Sequence, residues 1–208
     1  MTRILVVLFV ISLPVQLFAQ TETSAEFRIA GNSDGHTYRL LEVYQTRGNT
    51  VAWDLGYIDF GSDVYRELYV GAGRVLTPAK RMALVAETYF VQAISPGTSE
   101  RYVQPFVLGL FQLTERVSAQ ANYLLYVPIN KIARIQHVLD RAKLEYDFGR
   151  FKAGAGYAAY KFGDQAWEHK PFVTGTVKFN QAGSVELWFQ KLPAGSQVRV
   201  NYVVSRRH

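Results

Sequence analysis

Residues 136–162 read QHVLDRAKLEYDF-GR-FKAGAGYAAYKF, and this stretch leaves few folds open to the chain. Successive side chains on a strand point to opposite faces. On that period Val138, Ala142, Leu144, Tyr146 and Phe148 share one face of the first arm. Arg141, Lys143, Glu145 and Asp147 share the other. A helical period would mix the two sets. The arms meet at Gly149-Arg150, which predicts a two-residue type II′ turn, because glycine accepts positive φ at the first central position. The turn sets the register. Phe148 faces Phe151, Tyr146 faces Ala153, Leu144 faces Ala155 and Ala142 faces Tyr157 on the apolar side. Asp147 faces Lys152 and Glu145 faces Gly154 on the polar side. Turn chemistry, alternation and charge pairing agree on one hairpin.

Much of the chain repeats this unit. The pattern predicts strands over 24–30, 36–46, 50–60, 64–76, 81–93, 101–113, 117–127, 136–148, 151–162, 171–180, 184–191 and 197–205. In the first, Phe27 and Ile29 oppose Glu26 and Arg28. Val51, Trp53, Leu55 and Tyr57 line up against Ala52, Asp54 and Gly56. Leu68, Val70 and Ala72 oppose Glu67, Tyr69, Gly71 and Gly73. Glu87 stands opposite Met82, Leu84, Ala86 and Phe90. The stretch 36–46 alternates poorly, and 101–113 is apolar on both faces. No stretch carries a helical period, and no linker divides the chain. From Arg47 on, short connections tend to alternate with longer ones.

Alternating strands suit two opposite architectures. A soluble barrel or sandwich turns its apolar face inward, whereas a membrane barrel turns it toward lipid. The mean hydropathy of −0.03 fits both, because half of each strand is polar. Three features favour the membrane. Residues 1–19 hold one arginine, an apolar run and Ala19, and read as a secretory signal peptide cleaved after Ala19, leaving 20–208 as one barrel domain. Runs of about ten residues match a tilted membrane crossing. Aromatics gather near strand ends, at Tyr57, Phe60, Tyr65, Phe90, Tyr102, Tyr146, Phe148, Phe151, Phe162, Phe172 and Phe179, as in an interfacial girdle. The expected fold is all-β: a single antiparallel up-and-down transmembrane barrel of about twelve strands, with ten as the alternative.

With hairpins such as KLEYDFGRFKAGAGY, residues 21–207 resemble the small outer-membrane β-barrel proteins of Gram-negative bacteria. Twelve strands are similar to the monomeric channels for acidic oligosaccharides or nucleosides. The resemblance implies a monomer in the cell outer membrane, surrounded by lipid and lipopolysaccharide, inserted by the barrel-assembly machinery and passing small solutes. The chain departs from the family at its end. Many of those proteins finish on an aromatic residue, whereas Tyr202 here is followed by VVSRRH.

The absence of cysteine excludes disulfides and thiolate metal sites. The formal charge is +6. It is scattered along the chain, which argues against a nucleic-acid partner. No cofactor is expected, and ligand spacing for a metal is missing. An outer-membrane lipid hydrolase would need His and Ser together. His137 is expected on the polar face with Arg141, His169 in a loop, and Ser118 and Ser184 on other strands. His137 and Asp140, three residues apart, face opposite sides. The glycines of KAGAGYAAY are read as room opposite long charged side chains.

The candidate lumen residues form a basic ladder: Arg141, Lys143, Lys152, Lys178 and Arg199. In an open lumen such a ladder attracts anions. The competing expectation is that these cations pair with Glu145, Glu186, Glu67 and Glu87 and plug a narrow barrel. A passive channel for small anionic solutes leads. A non-conducting structural or adhesive barrel is the alternative.

Overall fold

The computed structural model describes residues 21–207 except 62–64, 96, 98, 131–133, 180–182 and 194. The leader over 1–19 and parts of the turns expected at 61–63, 94–100, 128–134, 181–183 and 193–196 lie outside the described residues.

Twelve strands run in sequence order: β1 Thr21–Asn32, β2 Thr37–Arg47, β3 Thr50–Asp59, β4 Arg66–Ala79, β5 Met82–Ala93 and β6 Arg101–Gln112, then β7 Val117–Pro128, β8 Gln136–Asp147, β9 Phe151–Phe162, β10 Glu168–Lys178, β11 Gly183–Leu192 and β12 Gly195–Arg207. Each pairs antiparallel with its sequence neighbours, and β1 pairs with β12, so the sheet closes into an up-and-down barrel. Closure matters physically. It satisfies the ladder hydrogen bonds of every strand and leaves no edge, the condition for a sheet to stand in hydrocarbon.

The hairpin register is the one the turn dictates. Asp147 pairs with Lys152, Tyr146 with Ala153, Leu144 with Ala155 and Ala142 with Tyr157. Gly149 takes φ 101°. The Phe148 amide donates to the Phe151 carbonyl at 2.8 Å.

The faces are sorted as a membrane barrel requires. Leu41, Leu55, Val70, Val107, Leu144, Val173, Leu187, Phe189 and Val198 point outward and are exposed. Ser24, Glu26, Arg28, Asp54, Glu67, Glu87, Lys143, Glu145, Arg199 and Asn201 point inward and are buried. In water such an apolar wall would drive aggregation, whereas against lipid tails it costs nothing. Phe148, Phe151 and Phe179 project outward together at one rim. Tyr102 and Phe172, expected in the same girdle, are instead fully inside, because their even positions fall on the inner face of β6 and β10.

Register shifts occur in three strands, one of them close to the end of β4 between Leu76 and Ala79, and the other two move lumen residues. The register of β3 shifts between Val51 and Asp54, which carries Val51 to the inner face with Asp54 rather than out with Trp53 and Leu55. The register of β8 shifts between Leu139 and Ala142. An extra residue in one strand moves everything before it to the opposite face. Val138 therefore lines the lumen instead of joining Ala142, and His137 leaves the polar face for the outer wall. His169 is in β10 rather than in a loop.

Candidate functional site

The β8 bulge builds the centre of the lumen. It turns both Asp140 and Arg141 toward the interior, and its two backbone N–H groups would be stranded. Asn122 of β7 resolves this: its Oδ1 accepts from the Asp140 amide at 3.1 Å and the Arg141 amide at 2.8 Å. From there the charges reach across the barrel. Arg28 Nη1 lies 3.2 Å from Asp140, and Arg141 Nη2 lies 2.7 Å from Glu26, which also binds Arg28 at 2.7 Å. Arg199 Nη1 sits 3.1 Å from Asp140, and the Tyr160 hydroxyl donates to the same carboxylate at 2.7 Å. Strands β1 and β8 are non-adjacent, with β9 to β12 between them on one side and β2 to β7 on the other. These bonds therefore span the lumen and divide it in two.

The half bounded by β8 to β12 is filled. Trp188 and Phe172 stack with centroids 4.0 Å apart and planes 7° apart. The Arg199 guanidinium lies 4.7 Å from the centre of the Trp188 ring. Lys143 pairs with Glu186 at 2.5 Å and Glu145 at 3.2 Å. Thr174 and Asn201 donate to Glu186, and Gln190 and Asn201 are each 1% exposed. Lys143, Lys178 and Arg199 each meet a carboxylate, which is what makes so much buried charge tolerable.

The half bounded by β2 to β7 is open. Most of a cavity of about 880 Å³ lies along it. Its carboxylates are held by phenols instead of cations. Tyr69 donates to Glu42 at 2.7 Å, Tyr89 to Asp54 at 3.0 Å and also to Glu87, and Tyr126 to Glu67 at 3.0 Å. Tyr69 and Tyr89 meet edge to face at 5.2 Å. They lie flat along the wall because glycines stand beneath them. A β-carbon at Gly56 would come within 2.0 Å of the Tyr69 ring, and one at Gly71 within 2.3 Å of the Tyr89 ring. Bare backbone under a flat ring leaves the centre of this half unoccupied.

The basic ladder is therefore largely neutralised. Arg141, Lys143 and Arg199 are in the ion pairs above, and Lys178 binds Asp147 at 2.6 Å. Lys152 lines a second opening of about 550 Å³, with Gln120 and Glu145, at the mouth near the short turns. Glu145 and Glu186 do pair with the ladder. Glu67 and Glu87 do not: they accept from tyrosines. Gly154 does give room to Glu145, but Gly156 makes room for the Phe172 ring rather than for a charged chain. His137 and His169 bond the hydroxyls of Tyr123 and Tyr157 on the outer wall, and Asp140 faces the other way.

The residue the sequence reading undervalued is Asp140. Its signal was present: Asp140-Arg141 puts two charges in succession on a strand that otherwise alternates, which is how a bulge reads. Glu42 was hidden by Leu40, an inward apolar residue that spoils the alternation of β2.

No protein-family model matches the chain, and no curated protein matches its sequence. Solved structures do. The KdgM porin, in complex with disordered oligogalacturonate, superposes with a TM-score of 0.66 at 13% identity, over 87% of this chain and 98% of its own. The NanC porin superposes with a TM-score of 0.62 at 10% identity, over the same shares. The fold is that of outer-membrane porins. At this identity it is the fold alone that is shared.

Proposed function

We propose that the protein is a passive channel for small solutes in the outer membrane. The observation that carries this reading is the open cavity along β2 to β7, lined by carboxylates and tyrosines among apolar residues, inside an apolar outer wall: a lipid-compatible cylinder with a route left unfilled. Residues 1–19 act as the export signal. The barrel works as a monomer, inserted by the assembly machinery among lipid and lipopolysaccharide, and carries out no chemistry. The porin described with oligogalacturonate supports the solute-passing role. The test is single-channel recording of the refolded protein in a planar bilayer, after a heat-sensitive gel shift confirms folding. Stable conductance steps are expected. A folded barrel that never conducts would overturn the channel.

A second reading, a structural barrel that passes nothing, is favoured by the ion pairs between β1 and β8. It predicts a folded barrel that stays silent even when Arg141 is truncated.

A further inference from the structure

We infer that the open half of the lumen is a site for small organic cations, so that the solutes it admits carry amines or quaternary ammonium groups. This deepens the channel reading and rests on it for the claim of passage, though not for the claim of binding.

Four carboxylates, Glu42, Asp54, Glu67 and Glu87, face this half. Among the described residues none has a lysine or arginine at ion-pair distance, whereas every carboxylate of the central network has one. The nearest cations across the lumen, Arg28, Arg141 and Arg199, are already held by Glu26 and Asp140. Three phenol hydroxyls, those of Tyr69, Tyr89 and Tyr126, bond these carboxylates but bring no counter-charge.

A second observation points to a missing partner. Asp54 is 3% exposed and lines the cavity, and its Oδ1 has no hydrogen-bond partner among the described residues. A buried carboxylate oxygen without a donor is costly, and a ligand N–H or a cation is what removes that cost.

The chemistry favours an organic ion over a bare metal. Asp54 and Glu87 share Tyr89 while Glu42 and Glu67 bond Tyr69 and Tyr126, and among the described residues no three of His, Cys, Asp or Glu converge as a metal site. Between the acids stand aromatic rings, Tyr69 against Tyr89 and Tyr89 against Phe106 at 5.9 Å. Ring faces beside carboxylates are the recognised setting for ammonium groups. An extended polyamine can meet several of these acids at once.

Two measurements test this. Reversal potentials in tetramethylammonium chloride gradients read passage. Calorimetric titration of spermidine into the barrel refolded in nonionic detergent reads binding, whether or not the barrel conducts. The native barrel is expected to prefer the cation and to bind spermidine. Glu42→Gln, Asp54→Asn and Glu67→Gln each keep an acceptor for the tyrosine. Each is expected to lower the cation-to-anion permeability ratio about fivefold, the scale of one unit charge at close range. Conduction with anion preference would overturn the cation site while leaving the channel standing. So would a spermidine affinity that the three substitutions do not change. Spermidine binding to a silent barrel would support the site and sink the channel.

Discussion

The two halves of this lumen solve the problem of buried charge in opposite ways. Along β8 to β12 and β1, arginine and lysine meet aspartate and glutamate, and bulky side chains fill the remaining space. Along β2 to β7, tyrosines hold the carboxylates and glycines keep the wall thin. An ion pair brings its own counter-charge and can close a space. A phenol satisfies geometry without neutralising, so the second half needs water or a solute. One half is built to be occupied by the protein, and the other to be occupied by something else.

The sharpest way to break that contrast is Asp140→Ala. It removes the carboxylate shared by Arg28 and Arg199, leaving the buried Arg199 guanidinium without a counter-charge and Arg28 with Glu26 alone. Unfolding by urea in lipid vesicles is expected to show a loss of about 3–5 kcal/mol. Glu42→Gln in the other half, where no cation is stranded, is expected to cost less than about 1 kcal/mol. Equal losses would erase the distinction between the halves.

Asn122→Ala probes the bulge that feeds the central network. It strands two amides, and the expected cost is about 1–3 kcal/mol. Asn122→Asp keeps the acceptor oxygen and is expected to recover most of it. A register shift in β8, seen as altered amide exchange over 138–142, would accompany the alanine variant alone.

Gly71→Val tests the thin wall. The added carbon atoms displace the Tyr89 ring into the cavity, at a cost of about 1–3 kcal/mol for overpacking. The conductance step is expected to shrink. An unchanged step in a folded variant would mean that solutes do not use the β2 to β7 side.

The smallest effect is expected at the outer wall. His137→Ala and His169→Ala should each change stability by no more than about 0.5 kcal/mol and leave conductance as it was. Lipid hydrolysis by the native barrel that either substitution abolished would restore the enzymatic alternative.

These outcomes bear on how much was readable without coordinates. The strands were legible because alternation and turn chemistry act within a dozen residues. Gly149 announced its own turn, and β8 paired with β9 as the turn required. The ion pair of Lys143 with Glu186 was foreseen as a class of contact. The bulge at Asp140 was not, since a single extra residue looks like noise in a period of two. Nor was the role of the tyrosines, whose phenols read as girdle or as filler until their carboxylate partners are known.

By itself the sequence determined the period, most of the turns, the faces of the cleanly alternating strands and a barrel of about twelve strands with ten left open, all consequences of local backbone geometry. The tertiary structure decided which charges meet. Arg28 and Asp140 stand 112 residues apart, and Glu26 and Arg141 stand 115 apart. Only closure of the barrel brings β1 opposite β8, and only the bulge turns Asp140 inward. Which cations are neutralised, and hence which side of the lumen stays open and acidic, depends on those two events, because electrostatic pairing follows distance in space and not order along the chain.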